Sequence, residues 1–239
     1  MTLIDLSDPP ADLRLSLRMP EKVLLLGPSG IPSPTVTKFR TLGQPLKPWA
    51  TGLIVATTIS YQIANSVKET SHDGFHFTSE GFFGQHTYAG GVDKAAHLVD
   101  YTIAQRALMN TYRRVGYTST QSAWLGFGTV FAAGLTNEIG DGTTLFGFSY
   151  EDLVMDTLGA GTATVLQLTG WNDTFGFRFG PISQQESPSC CLDFSNVGRD
   201  YSGEIYTADF KIAGLARRLR FDPGPARFLL FSVTYGTNG

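Results

Sequence analysis

Charge is scarce in this chain: 16% of its 239 residues are Asp, Glu, Lys or Arg, against roughly 25% in an average soluble domain. The deficit points toward a membrane environment. The net charge is −3 and no basic run is present, so a nucleic-acid-binding surface is excluded and no nucleic acid partner is expected. Cysteine is nearly absent. Cys190 and Cys191 are the only two, and adjacent cysteines reach disulfide geometry only with strain. That excludes a disulfide framework and a cysteine-based zinc site, and the pair reads as two reduced thiols in a cytoplasmic segment. Met1-Thr2-Leu3-Ile4-Asp5-Leu6 lacks a basic n-region followed by an apolar core, so no cleavable signal peptide is expected. What is plentiful is glycine (27), phenylalanine (17) and tyrosine (9), and glycine is more frequent in membrane helices than in soluble ones.

Residues 1–47 mix proline, charge and short apolar runs, with Gly27-Pro28-Ser29-Gly30-Ile31-Pro32-Ser33-Pro34 at their centre. Prolines this dense exclude a continuous helix and predict an extended arm that orders against something else. No Lys-Ser/Thr pair follows Gly27-Pro28-Ser29-Gly30, so this is not a phosphate loop. From Pro48 to Val67 no residue is charged, and Lys47 and Lys68 bracket the run. That length fits a crossing of a hydrocarbon core about 30 Å thick. A helix buried in a soluble bundle is the other reading. A connection rich in Gly, His and Phe follows, with His72, His76 and His86 as possible ligands and rings suited to a membrane boundary. Further helices are expected over 93–114, 122–139 and 150–171, with Gly126, Gly128, Gly134, Gly159 and Gly161 allowing close helix approach.

These segments predict an all-α membrane protein: a four-helix transmembrane bundle over 48–171, a Pro-rich cytoplasmic arm over 1–47 and a β-rich extension over 172–239. In the extension, 205–212 and 227–235 read as a hairpin, and the chain stops directly after a strand, as a piece of a longer chain does. Lys and Arg cluster before the first span, between the second and third, and after the fourth. By the positive-inside rule this places the protein in the bacterial inner membrane with both termini cytoplasmic.

That topology brings one set of ionisable residues to a single outer rim. Asp93, Lys94 and His97 open the second helix, Glu138 and Asp141 close the third, and Asp152 and Asp156 lie in the first turns of the fourth. Spacings of three and four residues put each pair on one helical face. One imidazole with several carboxylates suits a divalent cation, with Asp93, His97 and Glu138 as the expected metal ligands. The same groups can act as general acid and base. They can also form a structural network, with Asp93 or Asp156 capping a helix and Lys94 or His97 paired to Glu138 or Asp141. Ser149 near Asp152 reads as a helix cap.

The order Asp-Lys-x-x-His, Glu-x-x-Asp, Ser-x-x-Asp-Leu-x-x-Asp-x-x-Gly, carried by Asp93, Lys94, His97, Glu138, Asp141, Ser149, Asp152, Leu153, Asp156 and Gly159, resembles the VanZ-like family and the related YfiM-like predicted lipoproteins. The resemblance covers roughly residues 75–170, and Asp200-Tyr201-Ser202-Gly203-Glu204-Ile205-Tyr206 resembles a segment of longer YfiM-like members. The lipoprotein signal and lipid-bearing cysteine of that group are not found at the front, which favours an integral inner-membrane protein. The resemblance implies association with envelope phenotypes such as glycopeptide tolerance and no established reaction. Two classes stay open. One is an envelope protein whose rim binds a cation or amphiphile head group, with envelope hydrolysis as its enzymatic form. The other is a non-catalytic accessory subunit of a larger membrane complex, touching membrane lipids and other membrane protein subunits through its arm and extension.

Overall fold

The computed structural model describes residues 21–23, 36–38, 47–69, 74–84, 86–181, 201 and 204–236. Most of the Pro-rich arm, His72 and the Cys190-Cys191 pair lie outside these residues, so the expectations attached to them are not addressed by the fold. The described elements begin with β1 (Glu21–Val23) and β2 (Val36–Lys38), which pair antiparallel. There follow α1 (Lys47–Glu69), β3 (Phe77–Thr78), α2 (Val92–Val115), α3 (Ser119–Asp141), β4 (Phe148–Ser149) and α4 (Tyr150–Thr169). The chain continues through β5 (Phe175–Pro181), β6 (Glu204–Lys211), α5 (Ile212–Leu219) and β7 (Leu230–Gly236).

The helix ends are written in the sequence. Thr118 and Gln121 form a reciprocal capping box at the start of α3, the Thr118 hydroxyl accepting from the Gln121 amide at 3.2 Å and the Gln121 side chain accepting from the Thr118 amide at 3.1 Å. Gly116 ends α2 in the left-handed region at φ 105°, where a side chain is disfavoured, and Tyr117 N donates back to Tyr112 O at 3.1 Å. Ser149 caps α4, its hydroxyl accepting from Asp152 N at 3.2 Å.

Helices α2, α3 and α4 pack through small and polar residues rather than through a large apolar core. Gly159 lies against the backbone of Leu98 and Thr102, where a Cβ would meet Leu98 O. Gly126 faces the Gln105 amide and Gly134 faces Asp156 and Tyr101. Gly128 has open space and Gly161 meets only Phe127 at 4.0 Å, so these two do not mediate helix approach. Between the helices, Gln105 Nε2 donates to Ala123 O and to Thr164 Oγ1, both at 2.8 Å, and Tyr112 OH pairs with Thr129 Oγ1 at 2.8 Å. Each of these residues is buried, and the hydrogen bonds offset the cost of burial, with Gln105 Oε1 left without a partner.

This interior overturns the transmembrane four-helix bundle. Among the described residues, no helix is long and apolar enough to cross a membrane. The reason is composition along each helix. α1 is 23 residues long, but Thr, Ser, Gln and Asn recur through it. α2 carries Asp93, Lys94, Asp100 and Arg106, and α4 carries Glu151, Asp152 and Asp156. The uncharged run at 48–67 has the length of a span without its hydrophobicity.

The C-terminal part is also richer than a hairpin. β5, β6 and β7 form a three-stranded antiparallel meander, with Phe177 opposite Ala208 and Thr207 opposite Thr234. β5 and α5 were not expected from the sequence. The sheet sits on α2: Tyr201 and Tyr206 are buried against Val92, Ala96 and Val99, with Phe177 packed beside them. Arg106 Nη2 donates to Phe175 O at 3.1 Å, so the charge inside α2 anchors β5.

Candidate functional site: a buried carboxylate cluster with two cations

The site lies where the starts of α2 and α4 meet the end of α3. A two-residue parallel bridge sets the entry. Phe77 pairs with Phe148 and Thr78 with Ser149, while His76 N donates to Gly142 O at 2.8 Å and Phe148 N to His76 O at 2.9 Å. The bridge holds the 74–84 loop against the start of α4. Glu151, fully buried, then accepts from Ser79 Oγ at 2.7 Å and Gly81 N at 3.3 Å and locks the loop in place. Glu80, between them, is thereby turned inward.

Lys94 forms one half of the cluster. Its ammonium is 1% exposed and donates to Glu80 Oε2 at 2.5 Å, to Asp93 Oδ2 at 2.6 Å and to Asp152 Oδ1. Burial alone would lower its pKa, but its hydrogen bonds to Asp152, Asp93 and Glu80 outweigh it and raise the value, so Lys94 is a fixed cation. Asp93 Oδ1 also accepts from the Tyr201 hydroxyl at 2.5 Å. Burial pushes the Asp93 carboxyl up, while the His97 charge, Lys94 and Tyr201 pull harder in the other direction, and its pKa falls below the ordinary value. Every carboxylate in this half has a hydrogen-bond donor.

His97 forms the other half. Its Nδ1 is 2.6 Å from Asp156 Oδ1, and its Nε2 is 3.6 Å from Asp93 Oδ1 and 3.8 Å from Asp152 Oδ1. Burial opposes the charged ring, yet the bond to Asp156 and the charges of Asp156, Asp152 and Asp93 raise its pKa well above the ordinary value. Tyr101 stacks on the ring at 6.1 Å. Glu138, 1% exposed, accepts from Ser149 N at 3.2 Å through Oε2. Burial pushes its carboxyl up to about 8. Two buried oxygens in this half lack a hydrogen bond of good geometry, Glu138 Oε1 and Asp156 Oδ2, while the Tyr101 hydroxyl interacts with the Asp156 carboxylate.

Six of the seven residues expected at one rim therefore meet. Asp141 stands aside, accepting from Asn137 Nδ2 at 2.8 Å, with burial raising its carboxyl to about 6. The pairing differs from the expected network. Lys94 pairs with Glu80, Asp93 and Asp152 rather than with Glu138 or Asp141, and Ser149 and Gly91, not Asp93 or Asp156, cap the helices. Glu80, Glu151, Tyr101 and Tyr201 are the participants the motif spacing did not single out. Glu80 has no helical partner spacing, and Tyr201 reaches Asp93 across 108 residues of chain.

Among the described residues, ligand atoms of two triads lie within 4.8 Å of one another: Asp93, His97 and Asp152, and His97, Glu138 and Asp156. Asp93 and Glu138 thus belong to different triads that share His97.

Residues 79–168 match a family described as predicted periplasmic lipoprotein (DUF2279). The match supports the lipoprotein side of the motif resemblance and does not extend to the VanZ-like name. With the lack of a membrane-crossing helix among the described residues, it overturns both the integral membrane reading and the inner-membrane location with cytoplasmic termini. No curated protein and no solved structure matches the chain.

Proposed function

We propose that residues 79–168 form a periplasmic cation-binding domain in which His97, Glu138 and Asp156 bind one divalent metal ion. The observation that carries this reading is the pair of buried, unpartnered oxygens, Glu138 Oε1 and Asp156 Oδ2, beside a ring nitrogen within ligand distance of both side chains. An unmet acceptor in a buried site is costly. A cation removes that cost at both oxygens, and their lying beside one ring nitrogen sets them apart from other unpartnered buried atoms such as Gln105 Oε1 and Ser122 Oγ. One imidazole and two carboxylates is a donor set that Zn²⁺ and Mn²⁺ accept.

The Asp93–His97–Asp152 triad is the weaker candidate because Lys94 and Tyr201 already occupy its oxygens. In the His97 half, the ring gives up the proton it shares with Asp156, and Glu138 gives up the proton that burial holds on it. Binding therefore releases protons. Tyr101 and the Lys94 half fix the ring and the helix ends around the ion.

The test is calorimetric titration of chelator-stripped protein with Zn²⁺ and with Mn²⁺, in two buffers of different ionisation enthalpy. One ion per chain with net proton release, lost in Glu138→Gln and Asp156→Asn, is the expected result. Absence of binding, or binding that both substitutions leave intact, overturns the assignment.

A further inference from the structure

We propose that the aromatic tip built by residues 75–83 and 145–150 rests on the surface of a zwitterionic lipid bilayer, as a peripheral contact with no segment crossing it. Phe77 is 75% exposed, Leu145 81% and Tyr150 57%, levels unusual for large apolar side chains clustered at one end of a fold. The rings meet in two neighbouring groups along the chain: Phe75 meets Phe77 at 5.3 Å and Phe77 meets Phe148 at 5.3 Å, and Phe82 meets Tyr150 at 6.5 Å. The tip is also preformed. The β3–β4 bridge joins its two loops, and Gly147, at φ 86°, brings the turn against His76 and Thr78 where a Cβ would clash. Docking therefore orders no chain.

Charge identifies the occupant. No Lys or Arg occurs from 69 to 93 or from 115 to 177, and Glu80, the acidic residue of the described tip, is bound inward by Lys94. A protein interface is ringed by polar groups that fix orientation, whereas here the polar groups of His76, Ser79 and Ser149 are engaged within the chain, His76 Nδ1 lying 3.4 Å from Gly74 O and the two serine hydroxyls donating to Glu151. A bilayer surface needs no matched partner, because rings settle at head-group level by burying their faces. The absence of cations makes anionic lipid unnecessary. This inference concerns a surface distinct from the cation ligands, so it stands or fails apart from them.

Flotation with phosphatidylcholine vesicles at low and high salt tests it. The protein is expected to float at both salts, and the pair Phe77→Asp and Leu145→Asp to lower the partition roughly a hundredfold, about tenfold for each apolar side chain withdrawn. The pair is expected to unfold at the same temperature and to bind divalent metal as before. Leu219→Asp, at an exposed apolar position on α5, is expected to leave flotation unchanged. The proposal is overturned if the protein does not float, floats only with anionic vesicles, or loses flotation equally in Leu219→Asp. It is also overturned if the tip pair abolishes a self-association seen without lipid while vesicle binding is nil.

Discussion

The two halves of the cluster are made of the same groups and differ in whether they are finished. Around Lys94, three carboxylates from a loop, α2 and α4 share one ammonium, and Tyr201 supplies a further donor to Asp93. Around His97, Asp156 and Glu138 each keep a buried oxygen with no hydrogen bond of good geometry. A saturated ion network fixes geometry. An unsaturated one beside it, held by the same helices, is where an added cation lowers the energy. On the proposed cation reading, stability and binding are divided between neighbours, so substitutions in the two halves should have different signatures.

The largest effect is expected in the finished half. Lys94→Met leaves Glu80, Asp93 and Asp152 together without their cation, and should cost about 3–5 kcal/mol, as removing one partner of a buried ion pair does. Urea denaturation measures it, and a loss below about 1 kcal/mol would end the distinction between the halves. Gly134→Ala comes next. Its Cβ would meet Asp156 Oδ2 at 2.7 Å and Tyr101 at 2.9 Å, and overpacking of this kind should cost about 1–3 kcal/mol and weaken the metal site together with the fold. Tyr201→Phe removes the donor to Asp93 and should cost about 1.5 kcal/mol, a typical value for a hydrogen bond to a charged group, with metal binding retained.

The largest change in binding is expected for Glu138→Gln. The amide replaces a carboxyl that the fold keeps neutral up to about pH 8, so near and below pH 4.5 stability should change by less than about 1 kcal/mol, toward neutral pH the metal-free variant should become the more stable form, and metal binding is lost. The pH profile sharpens the same comparison. Glu138 has a folded pKa of about 8 against an ordinary 4.5. Between these values the folded chain holds a proton that the unfolded chain has released, so metal-free stability declines as pH rises and levels off above about 8. His97, raised above its ordinary 6.5, adds a decline that begins there, and the Asp141 share is complete above about 6. Glu138→Gln should flatten the slope between pH 6 and 8 without removing it. Metal affinity should run the opposite way, strengthening as pH rises and the competing protons leave Glu138 and His97.

Much of the site is legible in the amino-acid order alone. Asp93 to His97 and Asp152 to Asp156 are spaced by four, and a helix places such residues on one face, so their meeting follows from α2 and α4 existing at all. The capping signal at Ser149 locates the start of α4, whereas the Thr118 cap starts α3 three residues ahead of the expected Ser122. The roles of Glu80 and Tyr201 are not legible from spacing, because a loop glutamate and a tyrosine beyond the last bundle helix have no periodicity to mark them; Tyr201 is marked only by the resemblance of the 200–206 segment. The environment of the helices is hidden for a related reason. Low charge and abundant glycine suit a membrane bundle, but they also suit helices packed closely through Gly159, Gly134 and the Gln105–Thr164 hydrogen bond, and composition does not separate the two.

By itself, the sequence determined roughly where the long helices lie and which ionisable residues share a helical face, since these follow from a 3.6-residue period and, at Ser149, from capping chemistry. The tertiary structure alone decided which carboxylates Lys94 neutralises and which two oxygens lack a hydrogen bond of good geometry. Those outcomes depend on distances of about 3 Å between segments far apart in the chain, set by how closely glycines let the helices approach and by the β3–β4 bridge that turns Glu80 inward.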